Sequence, residues 1–203
     1  MNKLLYMTEL YKKSLSDIFL QFSNIPISEL EELVNLFSLQ EFKKKSIIIA
    51  PNNTSDIKLF FVVKGLIRIY YPIGEREVTI DFKEENTLFA NGFTLFTNLP
   101  NIDYYVALED VVCLVAESNE IEVLASKYHS IEHLNRKIVE AYYASYLITN
   151  YNSLFLSAEE RYSVFVRDRA ALINRLPLKY IATYLGIKQE TLSRLRAKKI
   201  ITI

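Results

Sequence analysis

Hydrophobic residues are spaced as in β-strands in one part of this chain and as in helices in the rest. Between about Phe42 and Ala116, short apolar runs rich in β-branched and aromatic residues alternate with turn residues, which is typical of β-strands. The runs are "SIIIA", "LFFVVKG", "LIRIYY", "EVTIDF" and "VVCLVA", and their separators include "PNNTSD", Gly65, "PIGER" and "NLPN". Short strands at regular spacing predict an antiparallel barrel or roll, and "PIGE" predicts a hairpin turn.

Helical patterns flank the predicted strands on both sides. "ISELEELVNLF" precedes them, and Ser28 is expected to cap this helix, with Glu31 completing a capping box. After Glu117 the period becomes helical, and a long helix is predicted over about 130–154. Ser157 is expected to cap the helix that follows, with acidic residues in its first turn.

The long helix predicts a homodimer. Its apolar seam advances in alternating steps of three and four residues, as in a coiled coil. The seam consists of Ile131, Leu134, Ile138, Ala141, Ser145 and Ile148. A helix of ~24 residues is ~36 Å long, too long for a small roll to cover. The alternative is that the helix lies against its own domain.

The closing segment "LPLKYIATYLGIKQETLSRLRAKKI" has a helix-turn-helix pattern. With Leu178 as position one, a small residue, Ala182, is fifth, where two helices cross closely. Gly186 is ninth, where the first helix stops and a positive φ is needed. Aliphatic residues fill positions four, eight, ten, fifteen and eighteen, namely Ile181, Leu185, Ile187, Leu192 and Leu195. These residues are expected to bury the inner faces of both helices.

The outward residues of this segment predict contacts with DNA. Arg194 has the donors to read guanine, Glu190 can accept from a cytosine amino group, and Gln189 suits adenine or the backbone. The lysines are expected to meet phosphates. The full set of predicted DNA-binding residues is Lys179, Lys188, Gln189, Glu190, Thr191, Ser193, Arg194 and Lys198.

The distribution of charge supports a polyanionic partner at this end. The chain has 203 residues and no net charge. Residues 1–156 contain 14 basic and 20 acidic residues, a net charge of −6, whereas residues 157–203 contain 10 basic and 4 acidic, a net charge of +6. A basic module beside an acidic body suggests double-stranded DNA as the partner.

Composition excludes several other classes. Half of the residues are hydrophobic, so a packed core is expected rather than disorder. The single cysteine, Cys113, excludes an intrachain disulfide framework and is expected to be a buried, inert thiol. No signal-peptide core or membrane-length apolar run is found, so we expect a cytoplasmic protein that does not enter membranes. His129 and His133 follow the strands, are expected at the surface and do not form a metal cluster, so neither an enzyme nor a metal or other cofactor is expected.

Taken together, these features resemble the Crp/Fnr family of bacterial transcription regulators. The residues that carry the resemblance are "LFFVVKGLIRIYY", "LFTNLPNIDYYVALEDVVCLV" and "IKQETLSRLR". The resemblance implies an α+β fold: an N-terminal antiparallel β-roll, jelly-roll-like and with flanking helices, a long dimerisation helix, and a C-terminal helix-turn-helix domain. The predicted domains are 1–155 for the sensor and 156–203 for DNA binding. It also implies a homodimer on a two-fold symmetric operator, with RNA polymerase as a candidate further partner.

The sequence departs from the family at the effector site. The cyclic-nucleotide binders of the family carry a Gly-Glu pair and an Arg-Ser or Arg-Thr pair. Aligned without gaps, these pairs fall on Asn91-Gly92 and Ile102-Asp103, so neither charged partner is present and Asp103 would repel a phosphate. We therefore expect no binding of cyclic AMP or cyclic GMP. The regulator is expected to respond to an unknown small molecule or to need no effector.

Tyrosines provide a candidate effector pocket. Aromatic faces and hydroxyls suit an apolar or aromatic small molecule. The candidate pocket consists of Asn91, Gly92, Tyr104, Tyr105, Tyr142 and Tyr143. The alternative is that the tyrosines only pack the roll onto the long helix.

The end of the chain leaves a second function open. Only "IITI" follows Lys199, so the β-hairpin wing usual in the family is expected to be missing. Without it, the chain is alternatively a ligand-binding or protein-interaction module whose helix-turn-helix no longer binds DNA.

Overall fold

The fold combines a two-sheet β-roll with helices on both sides of it in sequence. The computed structural model describes residues 3–52 and 57–200, with side chains from residue 6 to residue 197 in those ranges. The helices are α1 (Lys3–Phe22), α2 (Ile27–Asn35), α3 (Gly92–Thr97), α4 (Ser118–Lys127), α5 (His129–Phe155), α6 (Ala158–Asp168), α7 (Leu178–Tyr184) and α8 (Gln189–Ile200), with a 3-10 turn at Ala170–Leu172. The strands are β1 (Ser38–Phe42), β2 (Ile47–Ile49), β3 (Lys58–Lys64), β4 (Ile67–Ile73), β5 (Arg76–Lys83), β6 (Leu88–Ala90), β7 (Tyr104–Ala107) and β8 (Val111–Glu117).

The strands form two sheets within the described residues. Their orders are β1-β8-β3-β6 and β2-β7-β4-β5. Strand β8 pairs antiparallel with both β1 and β3, with Cys113 opposite Gln40 on one side and Val62 on the other. The predicted hairpin is confirmed as β4 and β5, and Gly74 in its turn has a φ of 57°. The predicted α+β architecture is therefore confirmed.

Strand β8 is buried on both of its faces, which explains its unbroken apolar sequence. Val111, Cys113 and Val115 face the interior of the roll. Leu114 and Ala116 alternate with them and pack against the surrounding helices. The Cys113 side chain has no exposed surface, and burial raises the pKa of its thiol to about 12. This confirms the prediction of a buried, inert cysteine.

Helices cover the outer face of the sheet that contains β8. Leu15 and Phe19 of α1 and Leu33 of α2 are almost fully buried there. Ile131 and Leu134 at the start of α5 are fully buried in the same cluster. The predicted dimer seam is therefore wrong in its first part, because these two residues pack into their own domain. Only the later seam residues, Ala141 onwards, are exposed.

The helix caps match the sequence in one case and not in another. Ser157 accepts a hydrogen bond from the Glu160 backbone N–H, and the Glu160 carboxylate accepts one from the Ser157 N–H, which completes a capping box. At α2 the predicted cap is wrong. The N-cap is Pro26, with no side-chain cap, and Ser28 lies inside the first turn. The helix begins earlier because Pro26 presets the φ of the entry residue, so Ser28 is already helical.

The chain forms two compact units. The first comprises Met1–Ile69 with Phe82–Ala141, and the second Tyr70–Asp81 with Tyr142–Ile203. In the second unit, residues of β5 contact the C-terminal helical segment. Thr79 Oγ1 is 2.8 Å from Thr183 Oγ1 of α7, and Asp81 pairs with Arg169 at 2.9 Å. Residues so distant in sequence give no periodic signal, and sequence reasoning missed both contacts.

The turn before β4 depends on a glycine. Gly65 has a φ of 98°, and a Cβ there would lie 2.5 Å from the Asp110 carbonyl oxygen and 2.9 Å from the Val111 Cα. Both are backbone atoms that cannot move away. We expect Gly65→Ala to lower the free energy of unfolding by about 3 kcal/mol, since strain and overlap add.

Gly74→Ala is the matched control for this prediction. Gly74 also has a positive φ, but a Cβ added there would meet no described atom within 4 Å. We expect this substitution to cost about 1 kcal/mol, from the left-handed conformation alone. Urea unfolding of both variants measures the difference, and equal losses would show that the close approach at Gly65 is unimportant.

Candidate functional site

Helices α7 and α8 are joined by a tight turn of the expected kind. Gly186 follows α7 with a φ of 66°. Its N–H donates to the Thr183 carbonyl, and the Ile187 N–H donates to the Ala182 carbonyl at 3.0 Å. These two bonds form a Schellman motif, which satisfies the last carbonyls of α7 and redirects the chain. The predicted role of Gly186 is confirmed.

The inner faces of the two helices are packed as the pattern predicts. Ile181, Ala182, Leu185 and Leu192 are at most 5% exposed. Ile187 and Leu195 are half-buried. The aliphatic positions of the motif therefore serve as its core.

Helix α6 completes the small core around these residues. Its Tyr162 and Phe165 are buried, and the Phe165 ring lies 5.6 Å from that of Tyr184. Arg161 of α6 makes two hydrogen bonds to the backbone. Its Nε donates to the Leu185 carbonyl, and its Nη1 donates to the Leu156 carbonyl. The end of α7, just before the turn into α8, is therefore hydrogen-bonded to α6.

The outer face of this motif is polar and exposed. Its exposed residues are Lys179, Lys188, Gln189, Glu190, Thr191, Ser193 and Arg194. Glu190 and Arg194 are one helical turn apart on the same face, so both can face one groove. The side chain of Lys198 lies outside the described residues, as do residues 201–203, on which the expectation about the wing rests.

The predicted effector residues of the first unit have structural roles. Asn91 is the N-cap of α3: its Oδ1 accepts from the Thr94 N–H, and its Nδ2 donates to the Thr94 hydroxyl. Gly92 is the first residue of that helix. Tyr104 is half-buried, whereas Tyr105 is buried with its ring stacked 5.8 Å from Phe89.

The predicted effector residues of the second unit are exposed. Tyr142 and Tyr143 lie in α5 and are 53% and 58% exposed. They begin an apolar surface along the second half of that helix. Its other large apolar members are Tyr146, Ile148, Tyr151, Leu154 and Phe155, each at least 56% exposed. We call this set the α5 apolar face.

Asp103 is the unusual acid of the first unit. It lies just before β7 and is 8% exposed, and its Oδ1 has no hydrogen-bond donor among the described residues. Burial raises the pKa of its carboxyl to about 6. The neighbouring Asn101 holds the backbone here: its amide donates to the Asp103 and Ala50 carbonyls and accepts from the Asp103 N–H.

Two features are absent from the described residues: a cluster of metal ligands and a helix able to span a membrane. No group of three or more His, Cys, Asp or Glu side chains is arranged to hold a metal ion in residues 3–52 and 57–200. His129 is exposed and faces Glu132 at 3.5 Å, and His133 lies beside Arg136. Across the same ranges, no helix is both long and apolar enough to span a membrane.

One known protein family is similar to the part of the chain that contains the roll. Residues 39–128 match the model of the family described as "Cyclic nucleotide-binding domain". This segment of the chain is similar to that family. No curated protein matches the sequence.

Solved structures extend the likeness beyond that segment. CooA from Carboxydothermus hydrogenoformans is 22% identical with a TM-score of 0.63, and the match covers 82% of this chain and 77% of CooA. FixK2 from Bradyrhizobium japonicum is 16% identical with a TM-score of 0.68, covering 82% of this chain and 85% of FixK2. A protein from Eubacterium rectale, described as a transcriptional regulator of the Crp/Fnr family, is 14% identical with a TM-score of 0.65, covering 87% and 84%. The chain has the fold of the Crp/Fnr regulators, as the sequence predicts.

The carboxyl of Asp103 makes stability depend on pH. Its folded-state pKa is raised from 3.8 to about 6, so the protonated form suits the fold. The stability that this carboxyl contributes is therefore fully present below about pH 4 and is lost as pH rises through about 6. We expect Asp103→Asn to raise the free energy of unfolding by on the order of 2 kcal/mol above about pH 7, and much less below about pH 4.

Urea unfolding at the two pH values measures this effect. Asp17→Asn removes the same charge from the exposed surface of α1 and is expected to change stability by less than about 0.5 kcal/mol at either pH. A loss of stability in Asp103→Asn at neutral pH would contradict the prediction.

Proposed function

We propose that this chain is a homodimeric, sequence-specific DNA-binding transcription regulator of the Crp/Fnr type. It acts in the cytoplasm on a two-fold symmetric operator and does not respond to cyclic AMP. It is not an enzyme. Its control is by an unknown small molecule or needs no effector.

The observation that carries the proposal is the division of α8 into two faces. Leu192 is fully buried, whereas Glu190 and Arg194 are exposed on the opposite side of the helix, with Gln189 and Ser193 exposed on its flank. A helix that only packs would not need base-reading side chains on its solvent face. In a helix-turn-helix the second helix enters the major groove with such residues near its N-terminus.

The expected chemistry divides between base and phosphate contacts. Arg194 can donate two hydrogen bonds to guanine, and Glu190 can accept one from cytosine. Lys179 and Lys188 are exposed cations suited to phosphates, which add affinity without sequence information. The net charge of +6 over residues 157–203 favours the approach of DNA to this part of the chain.

The α5 apolar face supports the homodimer. Large apolar side chains that are more than half exposed along one helix are typical of a surface that binds another protein. A second copy of α5 offers the same surface, and a two-fold interface requires self-complementarity. The dimer would therefore use the second half of α5, from Tyr142 to Phe155, rather than the whole predicted seam.

Loss of cyclic-nucleotide binding is supported by the residues at the expected phosphate site. Asn91 uses its amide to cap α3, and Asp103 is acidic and buried. A cyclic phosphate beside these two side chains would meet an acid rather than a cation, and an unpaired buried anion is costly.

The first test is fluorescence anisotropy of the full chain with a pool of random duplexes at two salt concentrations, followed by sequencing of the retained DNA. We expect affinity to decrease steeply with salt and a two-fold symmetric motif to emerge. Weak binding without a motif would instead support the alternative, a ligand-binding or protein-interaction module whose helix-turn-helix no longer binds DNA.

Arg194→Ala tests the recognition helix with the selected operator. We expect binding to weaken by about 1–3 kcal/mol and base preference to relax at one position of each half-site. Lys13→Ala removes one positive charge from the exposed surface of α1 and is the matched control. Equal binding by both variants would show that α8 does not read DNA.

The dimer is tested by a charge placed on the α5 apolar face. Ile148→Glu should shift the protein towards monomers in analytical ultracentrifugation, because a carboxylate would be buried at the interface. Ile27→Glu makes the same change at an isoleucine of α2 that is 76% exposed and lies outside the α5 apolar face, so it should leave the dimer intact. A dimer that survives Ile148→Glu would place the interface elsewhere.

A further inference from the structure

The loop before β7 presents an acid to the interior of the roll. Along residues 101–107 the buried positions alternate with more exposed ones, and Asn101, Asp103, Tyr105 and Ala107 are the buried set. Tyr105 and Ala107 belong to the cluster inside the roll. Because alternate residues of an extended segment share a face, the Asp103 side chain is directed to that interior face.

The backbone around this acid is rigid. Both polar groups of the Asn101 side chain bond to the Asp103 backbone, at 2.5 and 3.2 Å. The Asn101 backbone carbonyl accepts from the Asn52 N–H at 2.7 Å. The loop is therefore fixed by Asn101 and not by Oδ1 of Asp103. Buried carboxyl oxygens normally have a donor, and this oxygen has none among the described residues.

An aromatic stack lies on the same interior face. The rings of Phe60 and Phe89 are 4.9 Å apart and nearly parallel, and Tyr105 continues the stack 5.8 Å from Phe89. Tyr105 follows Asp103 by two residues, so the two side chains share one face of the extended segment. An acid on the same face as aromatic rings is a combination that suits organic cations, through an ion pair and cation–π attraction.

We propose that Asp103 is the anionic contact for an effector that carries a protonated amine or guanidinium group. The proposal rests on the proposed function, because it names the chemical class of the effector of that regulator. The cationic group of the effector would donate a hydrogen bond to Oδ1, and its carbon framework would lie towards Tyr105. The site thus has the opposite charge preference to one that accepts a cyclic phosphate.

The test uses the full chain without DNA and two organic cations, benzylamine and agmatine, at millimolar concentration. Benzyl alcohol, which has the same ring without the charge, and cyclic AMP are the comparison ligands. We expect at least one amine to raise the melting temperature of the protein, and neither comparison ligand to do so. Isothermal titration calorimetry then gives the affinity.

Two variants make the result specific. Asp103→Asn should weaken binding of that amine by about tenfold or more, since the ion pair is lost. Asp17→Asn, on the exposed surface of α1, should bind as the unchanged protein does. The proposal is overturned if neither amine stabilises the protein more than benzyl alcohol, or if Asp103→Asn binds the amine equally well.

Failure of this proposal can be separated from failure of the proposed function. Amine binding is read on DNA-free protein, whereas DNA binding is read by anisotropy. Operator binding without amine binding would reject the cation site and leave the regulator intact. Amine binding without DNA binding would keep the site and reject the regulator.

Discussion

The burial of β8 on both faces is the constraint on which the rest of the structure depends. Its alternating side chains fill the roll on one side and meet the helices on the other. Two hydrogen-bonding neighbours, β1 and β3, hold it in the middle of its sheet. This arrangement requires Gly65, since its Cα passes against the backbone of Asp110 and Val111 just before that strand. The helices α1, α2 and the start of α5 cover a surface to which β8 contributes Leu114 and Ala116, beside Phe61 of the neighbouring strand β3.

Local chemistry made much of this fold predictable from sequence. Turn residues mark the strand ends, and the 3.6-residue period marks the helices. The helix-turn-helix is the clearest case, because Gly186 and the aliphatic positions around it each satisfy one steric requirement. The N-cap of α6 was predictable for the same reason, since its capping box joins Ser157 to Glu160, only three residues later. Where neighbours in sequence make the interaction, the sequence predicts the structure.

Predictions went wrong or were lacking where the interaction joins distant residues. Ile131 and Leu134 continue the helical seam of α5, but their partners are in α1, α2 and β8. A period says which residues share a face and not what covers that face. Contacts such as Thr79 with Thr183, 104 residues apart, leave no local pattern at all. The sequence shows that residue 103 is an acid, but it does not show that this acid is buried without a donor to its Oδ1 among the described residues. Both features depend on the packing of the loop, which the side chain of Asn101 holds in place.

The C-terminal helices have a core of their own, which limits how an effector can act. Phe165, Ile181 and Leu192 are buried among α6, α7 and α8, and the Schellman turn at Gly186 satisfies its own backbone groups. The exposed face of α8 therefore rests on a core that these helices supply themselves. Under the two proposals made above, a ligand at Asp103 would act on the pairing of two copies through the α5 apolar face and not on the folding of these helices. Helix α5 is continuous from His129 to Phe155, so its first turns, where Ile131 and Leu134 are buried, and the α5 apolar face belong to one element through which such an effect would pass.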